Sequence, residues 1–336
     1  MSCLTWETLG LDLNTPFRLS YGVSEKRQSF WLRLADDTGW GEAAIPPYYD
    51  IRDTEVIAFW EAVSHRCDPF PDDLAGITDW IGSDGPAPAR CALDIALHDR
   101  IARDRGLPLF ELLGLPIPTS TPTAFTISID APEKMAERAK SIPEYSVIKL
   151  KLGSDDDIAL VAAVRAARPD VKLYVDANAG WTVGEAIERI KELEPYNLAL
   201  IEQPLPKDDI AGMGYVQKHT NIPIVADESV QTLENIEALG AAGVKGVNLK
   251  LMKIGGLAPT LKMLYRAREL DMKIMLGCMV ETSLGVTAMA HLLGLADWVD
   301  LDAPLLIKND PFDGVSYENG QMTVPTNRAG IGVLRK

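Results

Sequence analysis

From Pro122 onward the chain alternates short apolar runs with amphipathic stretches, and this rhythm limits the possible folds more than any other feature. The runs that read as strands are Ala124–Ile129, Val147–Leu152, Leu173–Val175, Ala199–Ile201, Ile222–Ala226, Gly246–Leu249, Lys273–Leu276 and Asp297–Leu301. Between them lie helical stretches. Asp156–Ala167 carries Ile158, Val161 and Val164 on one side, and Gly184–Leu193 carries Ile187, Ile190 and Leu193. Pro169 and Pro195 follow these stretches closely, as at helix ends. Strand–helix alternation requires parallel strands joined by crossover helices. Eight such strands are what a closed (β/α) barrel uses. An open doubly wound sheet is the structural rival, but no G-x-G-x-x-G follows the first strands.

The first third of the chain reads differently, as mixed α and β. Gln28–Ala35 alternates polar residues with Phe30, Leu32 and Leu34, the pattern of a half-buried strand, and Asp36-Asp37-Thr38-Gly39 closes it as a turn. Over Pro88–Arg105, Leu93, Leu97 and Ile101 recur every four residues, and Gly106 marks a helix stop. Gly114–Pro122 then holds three prolines, which favour extended backbone and place a domain boundary there. The sequence therefore divides into an α+β part over residues 1–118, a barrel over 119–310 and a C-terminal segment over 311–336.

The chain is acidic, with 48 Asp+Glu against 33 Lys+Arg over 336 residues. A basic surface is what nucleic acid and anionic membranes attract, so neither is expected as a partner. Cys3, Cys67, Cys91 and Cys278 form no C-x-x-C pair and suggest reduced thiols in a cytoplasmic protein. No basic head precedes an apolar stretch at the start, and no run of about 18 apolar residues occurs. Composition leaves the oligomeric state open, a homo-oligomer included.

A polar residue stands where each apolar strand finishes. The second strand ends in Lys149-Leu-Lys151, the third in Asp176-Ala-Asn178, the fourth in Glu202-Gln-Pro, the fifth in Asp227-Glu-Ser, and the sixth carries Asn248-Leu-Lys250. From Lys151 through Asp176, Glu202 and Asp227 to Lys250 the steps are 25, 26, 25 and 23 residues, about one strand plus one helix each. In a parallel barrel these residues reach one face, at the carboxyl ends of the strands, where barrel enzymes do their chemistry. Asp176, Glu202 and Asp227 would repel one another if unpaired. A hard divalent cation resolves this, and Mg²⁺ suits all-oxygen ligation. Each acid alone could instead cap a helix or pair with a lysine. Three on consecutive strands at matched depth favour the metal.

Residues two apart on a strand point to one side, so Lys149 and Lys151 share a face. Two ammonium groups that close are expected to lower each other's pKa and free one as a base. Lys250 comes from the far side of the carboxylates. A substrate held there would have a lysine on each flank, which suits removing a proton from one face and returning one to the other. Asp300-Leu-Asp302, at the eighth strand, reads either as a solvated acidic strand end or as a pocket for an amine.

Taken in order, Lys149-x-Lys151, Asp176-Ala-Asn178, Glu202-Gln-Pro204, Asp227-Glu228-Ser229 and Asn248-Leu-Lys250-Leu-Met-Lys-Ile-Gly-Gly256 resemble the enolase superfamily, and within it the muconate-lactonising subgroup. The resemblance covers nearly the whole chain, including Gly41-Glu42 and Ala92–Asp99. It implies an α+β capping domain on a modified (β/α)7β barrel, with the tail from about Pro311 returning to the cap. It implies Mg²⁺ on Asp176, Glu202 and Asp227, acid/base roles for Lys151 and Lys250, and an electrostatic or substrate-facing Lys149. Lysine or histidine bases with Mg²⁺ are the superfamily's established pattern. The mandelate-racemase branch wants a histidine near the seventh strand's end, and Met275-Leu-Gly-Cys-Met279 has none. His65, His98, His219 and His291 lie off the ring.

Within the subgroup, Asp300-x-Asp302 resembles the pair by which dipeptide epimerases hold a substrate's α-ammonium. Muconate and o-succinylbenzoate precursors carry no amine, so two desolvated carboxylates would repel them. The same likeness points to Thr126, Lys149, Cys278 and Val280 as substrate contacts. The activity implied is 1,1-proton transfer at the α-carbon of the C-terminal residue of an L,L-dipeptide, through a metal-stabilised enediolate. Members acting on Ala-Glu carry an arginine in a cap loop, where an ungapped reading from Pro16-Phe17 puts Gly22. Arg18 and Arg27 sit elsewhere, and the loops carry Tyr21, Glu25, Tyr48, Tyr49, Asp50 and Asp53. The expectation is a hydrophobic or cationic C-terminal residue rather than glutamate. The rivals are o-succinylbenzoate synthase or muconate cycloisomerase, a metal-free Schiff-base aldolase using Lys151 or Lys250, and a barrel that only binds.

Overall fold

The computed structural model describes residues 3–19, 22–66, 68–154 and 156–336. Tyr21 and Cys67 lie outside the described residues, as does the side chain of Arg18.

The chain opens with β1 (Leu4–Leu19), β2 (Gly22–Leu34) and β3 (Trp40–Ala44), then α1 (Asp53–Ser64), α2 (Ala75–Ile81), α3 (Ala87–Asp104) and the short α4 (Leu109–Leu112). The three strands form one antiparallel sheet. Phe30, Leu32 and Leu34 pack against Trp60 of α1 and Leu93 and Leu97 of α3, as their alternation requires. β2 begins at Gly22, six residues before the expected start at Gln28. Its first half carries Glu25, Lys26 and Arg27, and is held by backbone pairing to β1 rather than by an apolar face. Alternation cannot reveal such a half-strand. A Cβ on Gly41 would collide with the Ala92 carbonyl, so glycine is what lets β3 lie against α3.

After Gly114–Pro122, which holds no helix and forms only the short strand β4 (Thr121–Pro122), the alternation begins. It runs β5 (Phe125–Ile127), α5 (Pro132–Lys140), β6 (Val147–Lys151), α6 (Asp157–Ala167), β7 (Lys172–Asp176), α7 (Val183–Leu193), β8 (Leu198–Glu202) and α8 (Ile210–Gln217). It continues with β9 (Ile224–Ala226), α9 (Leu233–Ala242), β10 (Gly246–Leu249), α10 (Leu251–Ile254), α11 (Leu257–Glu269), β11 (Lys273–Gly277), α12 (Ser283–Ala290), β12 (Trp298–Asp300) and the short α13 (Ala303–Leu306).

β5 to β12 form one eight-stranded sheet in sequence order. Neighbouring strands pair in parallel from β5 to β12. Its ends meet where Ala124 N–H donates to Val299 O (2.9 Å), which closes the sheet on itself. Inside, Ala124, Val147, Tyr174, Leu200, Val225 and Met275 fill the space below the rim, so the barrel is a packed core and not a pore. The larger cluster lies between strands and surrounding helices. Local chemistry starts and stops those helices. Thr182 and Glu185 form a reciprocal capping box on α7, and Gly243, at φ 86°, ends α9 in the left-handed region.

Two acids of α3 pin the first part of the chain to the rest. Asp94 accepts from Leu257 N at the start of α11 (2.5 Å), and Asp99 accepts from Trp40 N (2.9 Å) and from Ile331 N in the tail (2.8 Å). The Phe312 ring lies edge-on to Trp31, centroids 5.2 Å apart. The cap sheet thus stands over the carboxyl ends of the barrel strands.

Candidate active site

The parallel register sets the depth of each charged side chain. Lys151 pairs with Asp176 and Asp176 with Glu202 on neighbouring strands, and Asp227 follows β9 directly. One oxygen from each of Asp176, Glu202 and Asp227 lies within 4.8 Å of the other two, and all three residues are buried. The electrostatics of the row are uneven. Burial and then the neighbouring Asp176 push Glu202 up to about 8. Burial would raise Asp176 too, but the Lys151 and Lys149 ammonium groups hold it at about 2. Asp227 is likewise held well down, against its own burial, by Lys250 and Lys253.

The donor set fits Mg²⁺. It consists of hard carboxylate oxygens from three adjacent strands, converging on one point. Glu202 Oε2 is buried and makes no hydrogen bond, although Lys149 Nζ stands 2.7 Å away. Asn248 Nδ2 donates to the other Glu202 oxygen (2.8 Å), which fixes the carboxylate's plane.

The two outer carboxylates each carry a lysine. Lys151 Nζ donates to Asp176 Oδ2 (2.7 Å) and Lys250 Nζ donates to Asp227 Oδ2 (2.7 Å). With Glu202 between them in the strand order, the lysines stand at opposite ends of the row. Lys149 departs from expectation. It does not trade pKa with Lys151. Burial would lower it, but Asp300, Glu202 and Asp176 surround it at 2.8, 2.7 and 3.1 Å and hold it well above its ordinary value. Three carboxylates in contact outweigh one neighbouring ammonium.

Asp300 and Asp302 stand together at the end of β12, both buried. Asp302 Oδ2 accepts from Thr126 N (2.7 Å), and burial plus Asp300 pushes its carboxyl up to about 7. Asp300 Oδ1 is buried without a hydrogen-bond partner. Cys278 Sγ donates to Asp300 O (3.4 Å).

A cavity of about 560 Å³ covers this rim. Thr126, Lys149, Cys278, Val280, Asp300 and Asp302 line it, together with Lys151, Lys250 and Asp227. Asp176 and Glu202 are fully buried and are not part of its lining. The roof comes from the cap: Ile45, Pro46, Pro47, Tyr48 and Tyr49 on one side, Lys26 and Arg27 on the other. Of the cap-loop acids singled out in the sequence, Glu25, Asp50 and Asp53 are not part of its lining.

Several functional neighbours carry no role in the sequence reading. Lys253 is buried and donates to both the carboxylate and the carbonyl of Asp227. Gln203 Oε1 accepts from Asp227 N (2.8 Å), and Asn178 Nδ2 donates to Glu228 (3.2 Å). Their signal is their place inside the quoted motifs, one to three residues from a ligand or base. Tyr49, singled out in the sequence as a cap-loop aromatic, lines the cavity, and its hydroxyl also donates to Glu228 O (3.1 Å), a contact that no motif signals. Of the histidines, His98 and His291 are buried packing residues, and His65 and His219 are exposed.

The family profile described as Enolase C-terminal domain-like matches residues 133–334. The L-Ala-D/L-Glu epimerase of Bacteroides thetaiotaomicron is 36% identical over 302 residues, covering 89% of this chain and 78% of its own. The substrate-liganded L-Ala-D/L-Glu epimerase of Bacillus subtilis superposes with a TM-score of 0.92 at 31% identity, over 100% of this chain and 99% of that one. A dipeptide epimerase of Enterococcus faecalis, complexed with Mg and L-Leu-L-Tyr, reaches the same TM-score of 0.92 at 29% identity, over 99% of each chain.

Proposed function

This chain belongs to the enolase C-terminal domain-like family, and from that premise we propose that it is a Mg²⁺-dependent dipeptide epimerase. The observation that carries the proposal is the placement of Lys151 and Lys250 on the two outer carboxylates of a three-carboxylate row. A base on each flank suits inversion at one carbon.

In the proposed reaction, Asp300 and Asp302 bind the α-ammonium of the dipeptide and so set which carbon stands between the lysines. Mg²⁺ held by Asp176, Glu202 and Asp227 would take the C-terminal carboxylate and neutralise the charge that develops there. One lysine, neutral, takes the α-proton, and the C–H electron pair moves toward the carboxylate carbon. The other lysine, as ammonium, returns a proton to the opposite face, so protons balance over the turnover. Lys149 stays an ammonium beside the carboxylates and adds positive charge where negative charge grows. Thr126, Cys278 and Val280 contact the substrate.

For the C-terminal side chain we propose a hydrophobic residue, received by Ile45, Pro46, Pro47 and the two tyrosines. The cationic alternative has less to rest on, since Lys26 and Arg27 line the roof where acids were expected. We also assign residues 1–118 to the cap, 119–310 to the barrel and 311–336 to a tail returning to the cap, supported by the Phe312–Trp31 and Asp99–Ile331 contacts. The cytoplasm is the proposed location, in keeping with Cys3, Cys91 and Cys278, which form no disulfide.

The test is deuterium incorporation into a pooled L,L-dipeptide library in D₂O with Mg²⁺, read by mass spectrometry. One deuteron per epimerised dipeptide is expected, fastest for hydrophobic C-terminal residues. No incorporation into any dipeptide would remove the proposal. A best rate with Xaa-Glu would instead assign side-chain recognition to Lys26 and Arg27.

A further inference from the structure

Next to the reaction chamber is a second cavity of about 290 Å³. It lies outside the barrel wall. Ile127 and Ile129, on the face of the strand opposite Thr126, meet Met135 of α5, and Leu13 of β1 and Leu305 of α13 close over them. Ligand pockets run to about 300–1,000 Å³, so this space is small for a whole ligand. It is suited to one branch of a ligand whose main body is next door. The two cavities share Thr126 and Leu306 as walls.

That shared wall is where the Asp300–Asp302 pair is anchored, since Asp302 Oδ2 accepts from Thr126 N (2.7 Å). Asp300 Oδ1, buried and without a hydrogen-bond partner, lies beside it in the main chamber. We propose that the side cavity receives the side chain of the dipeptide's N-terminal residue, and that it selects long aliphatic or aromatic groups there. This rests on the epimerase reading. With the ammonium at Asp300 and Asp302, the carbon that bears it stands at Thr126. The main chamber is taken by the C-terminal residue between Lys151 and Lys250. The remaining direction crosses Thr126 and Leu306 into the side cavity. Ile127, Ile129, Met135, Leu13 and Leu305 give it an apolar wall, while Asn14, Thr15, Ser128 and three charged residues also line it: Asp130 and Lys134, paired at 3.4 Å, and Arg138, 4.9 Å above the Phe125 ring. A side chain lying along that apolar wall is sheltered from water there, and the exposed charged residues already have partners in the Asp130–Lys134 pair and the Phe125 ring. Each methylene buried is worth roughly fourfold in transition-state binding if it is fully desolvated.

The experiment measures epimerisation of Gly-Leu, Ala-Leu, Leu-Leu and Phe-Leu by the unaltered enzyme and by Ile129→Trp. Ile129 is half-buried and borders the side cavity but not the main chamber. The unaltered enzyme is expected to favour Leu-Leu and Phe-Leu over Ala-Leu by about tenfold or more in kcat/KM. A steady loss of rate with N-terminal size overturns the inference without any variant. In Ile129→Trp that preference is expected to shrink at least tenfold, through KM. Equal losses on all substrates overturn it as well. If none of the four dipeptides is epimerised while others in the pooled library are, the side cavity fails alone. If no dipeptide exchanges at all, the epimerase reading falls and the inference falls with it.

Discussion

Lys151 and Lys250 make equal contacts, 2.7 Å each, but to carboxylates at opposite ends of the row. The proposed roles therefore predict an asymmetry. Lys151→Met should stop epimerisation, with a loss on the order of 100-fold or more. It should leave α-proton exchange in one epimer, the one whose proton faces Lys250, and abolish it in the other. Lys250→Met should show the reverse. NMR of the L,L and L,D dipeptides in D₂O reads both. Loss of exchange in both epimers with either variant would argue against a base on each face. The bases and ligands were legible in the sequence because strand ends recur at near-constant spacing. Lys149 shows the limit of that logic. The nearest charge to it along the sequence is another lysine two residues on, but its neighbours in space are three carboxylates, and contact decides its charge. Tyr49 shows the same limit from the other side, since a cap loop reaches Glu228 across 179 residues of chain.

Among the elements, the connection after β6 is held to its neighbours by polar contacts that converge on one acid. Asp157, fully buried at the start of α6, accepts from Gly153 N (2.9 Å), Ser154 N (2.9 Å) and Trp181 Nε1 (3.0 Å), and pairs with Arg189 at 2.9 Å. It ties the loop leaving Lys151 to the loop leaving Asp176. Asp157→Asn keeps the shape but removes the charge facing Arg189 and turns one acceptor into a donor. A loss of about 3 kcal/mol in unfolding free energy is expected, as when a buried ion pair loses one partner. Urea denaturation followed by Trp fluorescence measures it, and an unchanged midpoint would contradict the account. Helix and strand positions were readable because apolar periodicity reports on burial. The first half of β2 was not readable, because pairing with β1, and not burial, holds it extended.

At the scale of the molecule, His291, just past α12, joins that helix to α4 and to the C-terminal tail. Its Nδ1 accepts from Phe110 N (3.3 Å), so its Nε2–H donates to Ile331 O (3.1 Å), and its ring stacks on Phe110. Burial pushes its pKa down to about 4. The unfolded imidazole titrates near 6.5, so between these values the unfolded chain binds the extra proton. Stability from this group is whole above about pH 6.5 and is lost as pH falls toward 4, by on the order of 3 kcal/mol. His291→Gln cannot titrate. Its melting temperature should therefore fall less steeply than the parent's over that range, whatever its starting value. Parallel curves would contradict a neutral buried His291.

The order of elements, the eight-fold alternation and the ring of charged strand ends follow from local pattern alone. A repeating strand–helix unit has few ways to bury its apolar faces, and a parallel barrel aligns every strand end on one rim. Charge states, the roof of the chamber and its side cavity were decided only by the closed fold. Each depends on groups far apart in the chain being pressed into one low-dielectric space, where the nearest opposite charge, and not the next residue, sets the energy.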